Sequence, residues 1–136
     1  MKYLKFVDSN GKPQAQDSSF FTALDNGAGS ATYYAELGLN NLEWAGIGSM
    51  HWDWDATLAA TITIEATNHY DVPLHTAVGA RWIDIAAITD VVAATSASQD
   101  IASWADIGYG RMRAKVVVTA DGNLRGAFHV KKKGGV

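Results

Sequence analysis

The chain has no cysteine among its 136 residues, which excludes disulfide frameworks, cysteine-zinc sites and thiol chemistry. Proline occurs only twice, and long Lys/Glu-rich helical stretches are absent. Charged residues make up 18 %, below the roughly 25 % of an average soluble domain. The net charge of −3 and the lack of a basic stripe argue against a nucleic-acid partner; only Lys131, Lys132 and Lys133 cluster. No apolar run approaches the ~20 residues that span a bilayer, so no membrane partner is expected. The start, Met1 to Asp8, has neither the apolar stretch nor the small-residue cleavage site of a signal peptide, and no secretion signal is expected there.

Apolar residues make up 48 %, enough for a real core, and the length fits one domain of roughly 100–150 residues. A single domain over 1–136 is expected, with an irregular excursion at about 14–46 and a short basic tail at 131–136. Lys2 to Val7 alternates like a strand and is closed by the turn formers Asn10-Gly11 and Pro13. The stretch from Gln14 onward is weakly patterned, with a flexible loop at Asp25 to Ser30. Long excursions of this kind are often ordered by partners.

From Ser49 onward the period-2 signature of half-buried strands dominates. Met50, Trp52 and Trp54 share one side of a segment whose other side carries His51, Asp53 and Asp55. Thr61 to Glu65 alternates β-branched apolar with polar residues, and Trp82 to Ile85 fits a short strand. Ala86 to Ala97 is ambiguous, since Ile88, Val91 and Val92 suit a helix face while the flanking Thr, Ser and Ala suit an irregular connection. Met112, Ala114, Val116 and Val118 alternate against Arg111, Arg113, Lys115 and Val117. Asp121-Gly122 then reads as a tight hairpin connection to a returning strand at Leu124 to Lys131. Short strands and turns without alternating helices predict an all-β, jelly-roll-like antiparallel β-sandwich.

Little here carries chemistry. His51, Asp53 and Asp55 would project from one strand face about 7 Å apart, and His with two carboxylates can hold a metal. Without ligands from another strand the spacing is too wide, and the polar face of a half-buried strand is the simpler reading. His69, Asp71 and His75 lack a recognised ligand spacing. Pairs such as Asp84 with Asp90 would need a pocket to act as acid and base. No serine sits in a Gly-x-Ser-x-Gly context, and Gly108-Tyr109-Gly110 lacks the third glycine of a dinucleotide fingerprint. No enzyme activity, catalytic residue, cofactor or metal is expected.

Five tryptophans are many for this length. Burial is expected for Trp52 and Trp54, beside Met50; exposed in a row, such rings would instead form a sugar-stacking platform. Trp44 and Trp104 lie in less regular segments and are candidate contact residues, as are Tyr33 and Tyr34. Lys131 to Lys133 are candidates too, as a solvated tail that could dock on an acidic neighbour.

A Trp-containing strand is followed by Thr61-Ile62-Thr63-Ile64-Glu65-Ala66-Thr67-Asn68, then by Trp82. Gly110-Arg111-Met112-Arg113-Ala114-Lys115-Val116 and Asp121-Gly122-Asn123-Leu124-Arg125-Gly126 complete the succession, which ends at Lys131. Over roughly Ser49 to Lys133 it resembles a group of small tailed-phage virion proteins, several of them capsid decoration (cement) proteins or tail-associated components. That resemblance implies a jelly-roll-like sandwich on the capsid surface, made in the host cytoplasm. It also implies the major capsid protein and further copies of the chain as partners, with a cyclic trimer one expected symmetry. The alternative is a carbohydrate- or receptor-binding module associated with a tail or fibre.

Overall fold

The computed structural model describes residues 2–27, 31–37, 47–55, 57–69, 71–75, 81–88, 90–94, 98–105 and 110–131, the side chains of Lys2, Ile47, Ala94, Ser98, Ala105, Val130 and Lys131 excepted. Two antiparallel sheets face each other, and among the described residues there is no helix. One sheet runs β1 (Lys2–Tyr3), β11 (Gly122–Lys131), β5 (Ile47–Trp54), β9 (Ser98–Ala105), with β3 (Thr22–Leu24) also on β11. The other runs β2 (Val7–Asp8), β4 (Ala31–Glu36), β10 (Arg111–Ala120), β6 (Ala59–Thr67), with β7 (Ile83–Asp84) and β8 (Val91–Ala94) both pairing with β6. The chain is an all-β antiparallel sandwich.

Alternation explains which side chains enter the core. Met50, Trp52 and Trp54 of β5 and Leu124 and Phe128 of β11 point inward from one sheet. Ile62 and Ile64 of β6 and Met112, Ala114, Val116 and Val118 of β10 meet them from the other. Fully burying side chains of this size contributes about 1.5–3 kcal/mol each. Two tryptophans set the register through glycine. Trp52 lies opposite Gly126 across the ladder, and a Cβ there would stand 2.5 Å from the Trp52 ring. Trp104 covers Gly48, its cross-strand partner, in the same way.

Two expectations are corrected by the topology. The Asp121-Gly122 turn is not a hairpin: β10 is flanked by β4 and β6, and β11 by β5 and β1/β3. The chain therefore crosses from one sheet to the other at Asp121, so that the apolar faces of both strands look into one core. Nor is 14–46 an excursion throughout. It supplies β3, and it supplies β4, which lies between β2 and β10. Ala86–Ala97, left open by the sequence, contains the edge strand β8.

Candidate functional site

The outer face of the β11-β5-β9 sheet carries the first sequence-predicted cluster. Of its three polar residues, His51 and Asp53 approach each other, 3.6 Å from His51 Nε2 to Asp53 Oδ1, while Asp55 is engaged elsewhere. His51 Nε2 meets Gln99 Oε1 on β9 at 2.6 Å. Asp53 Oδ2 accepts from Arg125 Nε and Nη2 at 3.3 and 3.1 Å. Asp55 closes the turn before β6, accepting from the backbone N–H groups of Thr57 and Leu58 and from Asn123. Burial alone would raise the Asp55 carboxyl; the bonds from Asn123 and Thr57 outweigh it and hold it below the usual carboxylate range. Among the described residues no group of His, Asp and Glu has metal-site geometry. His69 is paired with Arg81 at 3.3 Å, and His75 packs over Gly11.

The outer face of the other sheet holds a polar cluster that sequence reasoning missed. Arg113 and Glu65 face each other on β10 and β6, both with no exposed surface. Arg113 Nε donates to Glu65 Oε1 at 2.8 Å, and its guanidinium is flanked by Tyr34 at 4.2 Å and Trp82 at 4.4 Å. Desolvation lowers the Arg113 pKa while Glu65 counteracts it; burial pushes the Tyr34 phenol up. The cover is residues 71–75, between β6 and β7. Its carbonyls at Val72 and Leu74 accept from Arg111 and Arg113, and Pro73 O accepts from Trp82 Nε1. Arg111 also pairs with Glu36 and lies over Trp82. The bonds from Arg111, Arg113 and Trp82 to the carbonyls of Val72, Leu74 and Pro73 fasten the strap to the sheet.

These packing arrangements correct three candidate contacts. Tyr33 points into the core and Tyr34 lies beneath the strap, each only 5 % exposed. Trp104 points inward from β9 over Gly48 and is 7 % exposed. Rings so covered offer almost no area to a partner in the folded chain. Trp52, Trp54 and Trp82 are buried as well, which leaves no tryptophan platform among the described residues. Trp44, Lys132 and Lys133 lie outside the described residues; Lys131 ends β11, and only its backbone is described.

Two clefts remain. One, of ≈ 320 Å³, lies between Thr67, Asn68, His69, Arg81, Ile83 and Asp84. The other, of ≈ 470 Å³, opens between Tyr3, Lys5, Gln16, Phe20, Glu36 and Leu74, with Phe128 at its base. Both lie within the size range of ligand sites. Each also contains one of the two non-glycine residues with positive φ among those described: Arg81 at 92° and Phe20 at 67°. Such conformations cost about 1–3 kcal/mol and cluster where a side chain is held for a purpose. No sequence signal marked either residue.

Comparison with models of known protein families finds no match, and none of the curated proteins matches the chain.

Proposed function

We propose that the protein is a structural component of a tailed-phage virion, a decoration (cement) protein that binds the major capsid protein and copies of itself, built on a jelly-roll-like sandwich. The observation that supports this reading best is the open side of the sandwich at β9. Among the described residues this eight-residue strand pairs only with β5. It contains no lysine or proline, the residues that natural edges use to block pairing. Ile101, near its middle, is 61 % exposed, and Val92 on the adjoining edge strand β8 is 60 % exposed. The Ile101 N–H is satisfied by its neighbour's carboxylate, Asp100 Oδ1, at 2.8 Å. An incoming strand would replace that local bond and cover Ile101, extending the sheet across two chains.

The polar clusters support the same reading. Their hydrogen bonds serve the turn at Asp55 and the strap over Arg113. The test is to add purified protein to capsids lacking it and measure their thermal disruption. Binding that raises the disruption temperature is expected, and replacing Ile101 by Lys should abolish it. Capsids that take up no protein would overturn the proposal.

A further inference from the structure

We propose that the ≈ 470 Å³ cleft beside Phe20 is a carbohydrate-binding subsite, in which the apolar face of a pyranose ring stacks on Phe20. This inference stands on the cleft alone and does not depend on the virion reading.

The local fold explains how Phe20 is presented. Gln16 and Thr22 form a β-bridge, and Asp17 ties the turn between them. Its carboxylate accepts from the N–H groups of Ser19 and Phe21, and its carbonyl from that of Phe20. Phe20 takes the position of this turn that requires positive φ, which glycine adopts freely and an aromatic residue does not. The strained backbone carries a ring stacked on Tyr3 at 4.3 Å and 7°. Phe20 is nevertheless 45 % exposed. One ring face is stacked on Tyr3, and Phe20 lines the cleft. Arg125 holds the turn from behind, donating to Ser19 O at 3.1 Å with its guanidinium 4.6 Å from the Phe21 ring.

The polar lining narrows the ligand class. Lys5 supplies a cation and Glu36 a carboxylate, one oxygen of which is engaged by Arg111. Gln16 spends its amide N–H groups on the carbonyls of Leu4 and Phe20, which turns its amide oxygen to the role of acceptor. Donors and acceptors of both signs surround an aromatic face, so a simple anion or cation gains little. A neutral ring with one apolar face and equatorial hydroxyls matches both features, through stacking and hydroxyl bonds.

The test is saturation-transfer NMR on the full chain with maltotetraose, cellotetraose and tetra-N-acetylchitotetraose, each to about 10 mM, a range suited to weak binding. At least one should receive saturation, and 15N shifts on titration should centre on Tyr3, Lys5 and Phe20. Phe20→Gly relieves the positive φ while removing the ring. It should bind about tenfold or more weakly, equivalent to ~1.4 kcal/mol, with an unchanged or higher melting temperature. Lys5→Ala, at an exposed position, provides an independent variant and should weaken binding without altering the fold. No saturation transfer to any of the three sugars would overturn the proposal, as would Phe20→Gly binding as tightly as the parent.

Discussion

Replacing Glu65 by Ala tests how the strap is held. The substitution leaves Arg113 charged and fully enclosed between Tyr34 and Trp82, with its bond to Leu74 O but without the Glu65 carboxylate. Lys115 reaches the other Glu65 oxygen only at 3.7 Å and brings a second positive charge. Breaking a buried pair in this way costs about 3–5 kcal/mol, a large part of the ~5–15 kcal/mol that a domain commands. Urea unfolding at pH 7 should show the loss as a lower midpoint with an unchanged slope. Combining Glu65→Leu with Arg113→Met removes both charges and keeps the volume. The double variant should be less destabilised than Glu65→Ala, by roughly 2 kcal/mol or more, since apolar replacements of buried pairs are often neutral. Amide exchange over residues 71–75 should quicken in both, because the carbonyl at Leu74 loses its donor in one and its anchored guanidinium in the other. A single substitution costing under about 1 kcal/mol, or a double variant as unstable as the two singles summed, would refute the reasoning.

Other expectations follow from the same geometry. Gly126→Ala should cost about 1–3 kcal/mol by overpacking, since the new Cβ would stand 2.5 Å from a Trp52 ring with no free space; a neutral urea midpoint would contradict this. Asp55 has a lowered pKa in the folded state, so its contribution is present above the unfolded value of about 3.9 and is lost as pH falls through the folded one. The stability difference between the parent and Asp55→Ala should therefore shrink below about pH 4; a constant difference down to acid unfolding would contradict it. The Tyr34 phenol is raised, so the unfolded chain loses that proton first and stability falls above about pH 10. Ultraviolet titration of the parent against Tyr34→Phe should show one tyrosine ionising late, with the two curves parting only above the ordinary tyrosine range; a difference that is already complete near pH 10 would count against it.

The readable strands are those with one wet face. In β5, Met50, Trp52 and Trp54 alternate with half-exposed His51 and Asp53, so the period of two is visible in the residue types. β4 hides because both its faces are covered. Tyr33 and Ala35 enter the core while Tyr34 lies under the strap, and no polar residue breaks Thr32 to Ala35 except Thr32 itself. Trp104 appeared irregular for a related reason: β9 is an edge strand with small, mixed residues. Asp121-Gly122 carries hairpin chemistry, and only the pairing of β4 and β6 on either side of β10 prevents the hairpin.

The candidate sites were less legible than the fold. Arg113 and Glu65 occupy outward positions that alternation assigns to solvent, and they become buried only because a distant segment folds over them. Phe20 gave no signal, since its significance lies in a backbone angle and in the neighbours Tyr3, Lys5 and Glu36, which are brought together from the N-terminal segment and β4. His51, Asp53 and Asp55 were read as a polar face; His51 and Asp53 lie 3.6 Å apart on that side of the sandwich, while Asp55 is tied to Asn123.

The central claim is that this sandwich works by joining other chains through its open side at β9. Sedimentation velocity of the parent and of Ile101→Lys, each at about 100 μM, a concentration that populates even weak self-association, tests it most directly. A defined oligomer is expected for the parent and a folded monomer for the variant. A parent that sediments as a monomer, or a variant that assembles as well as the parent, would contradict it.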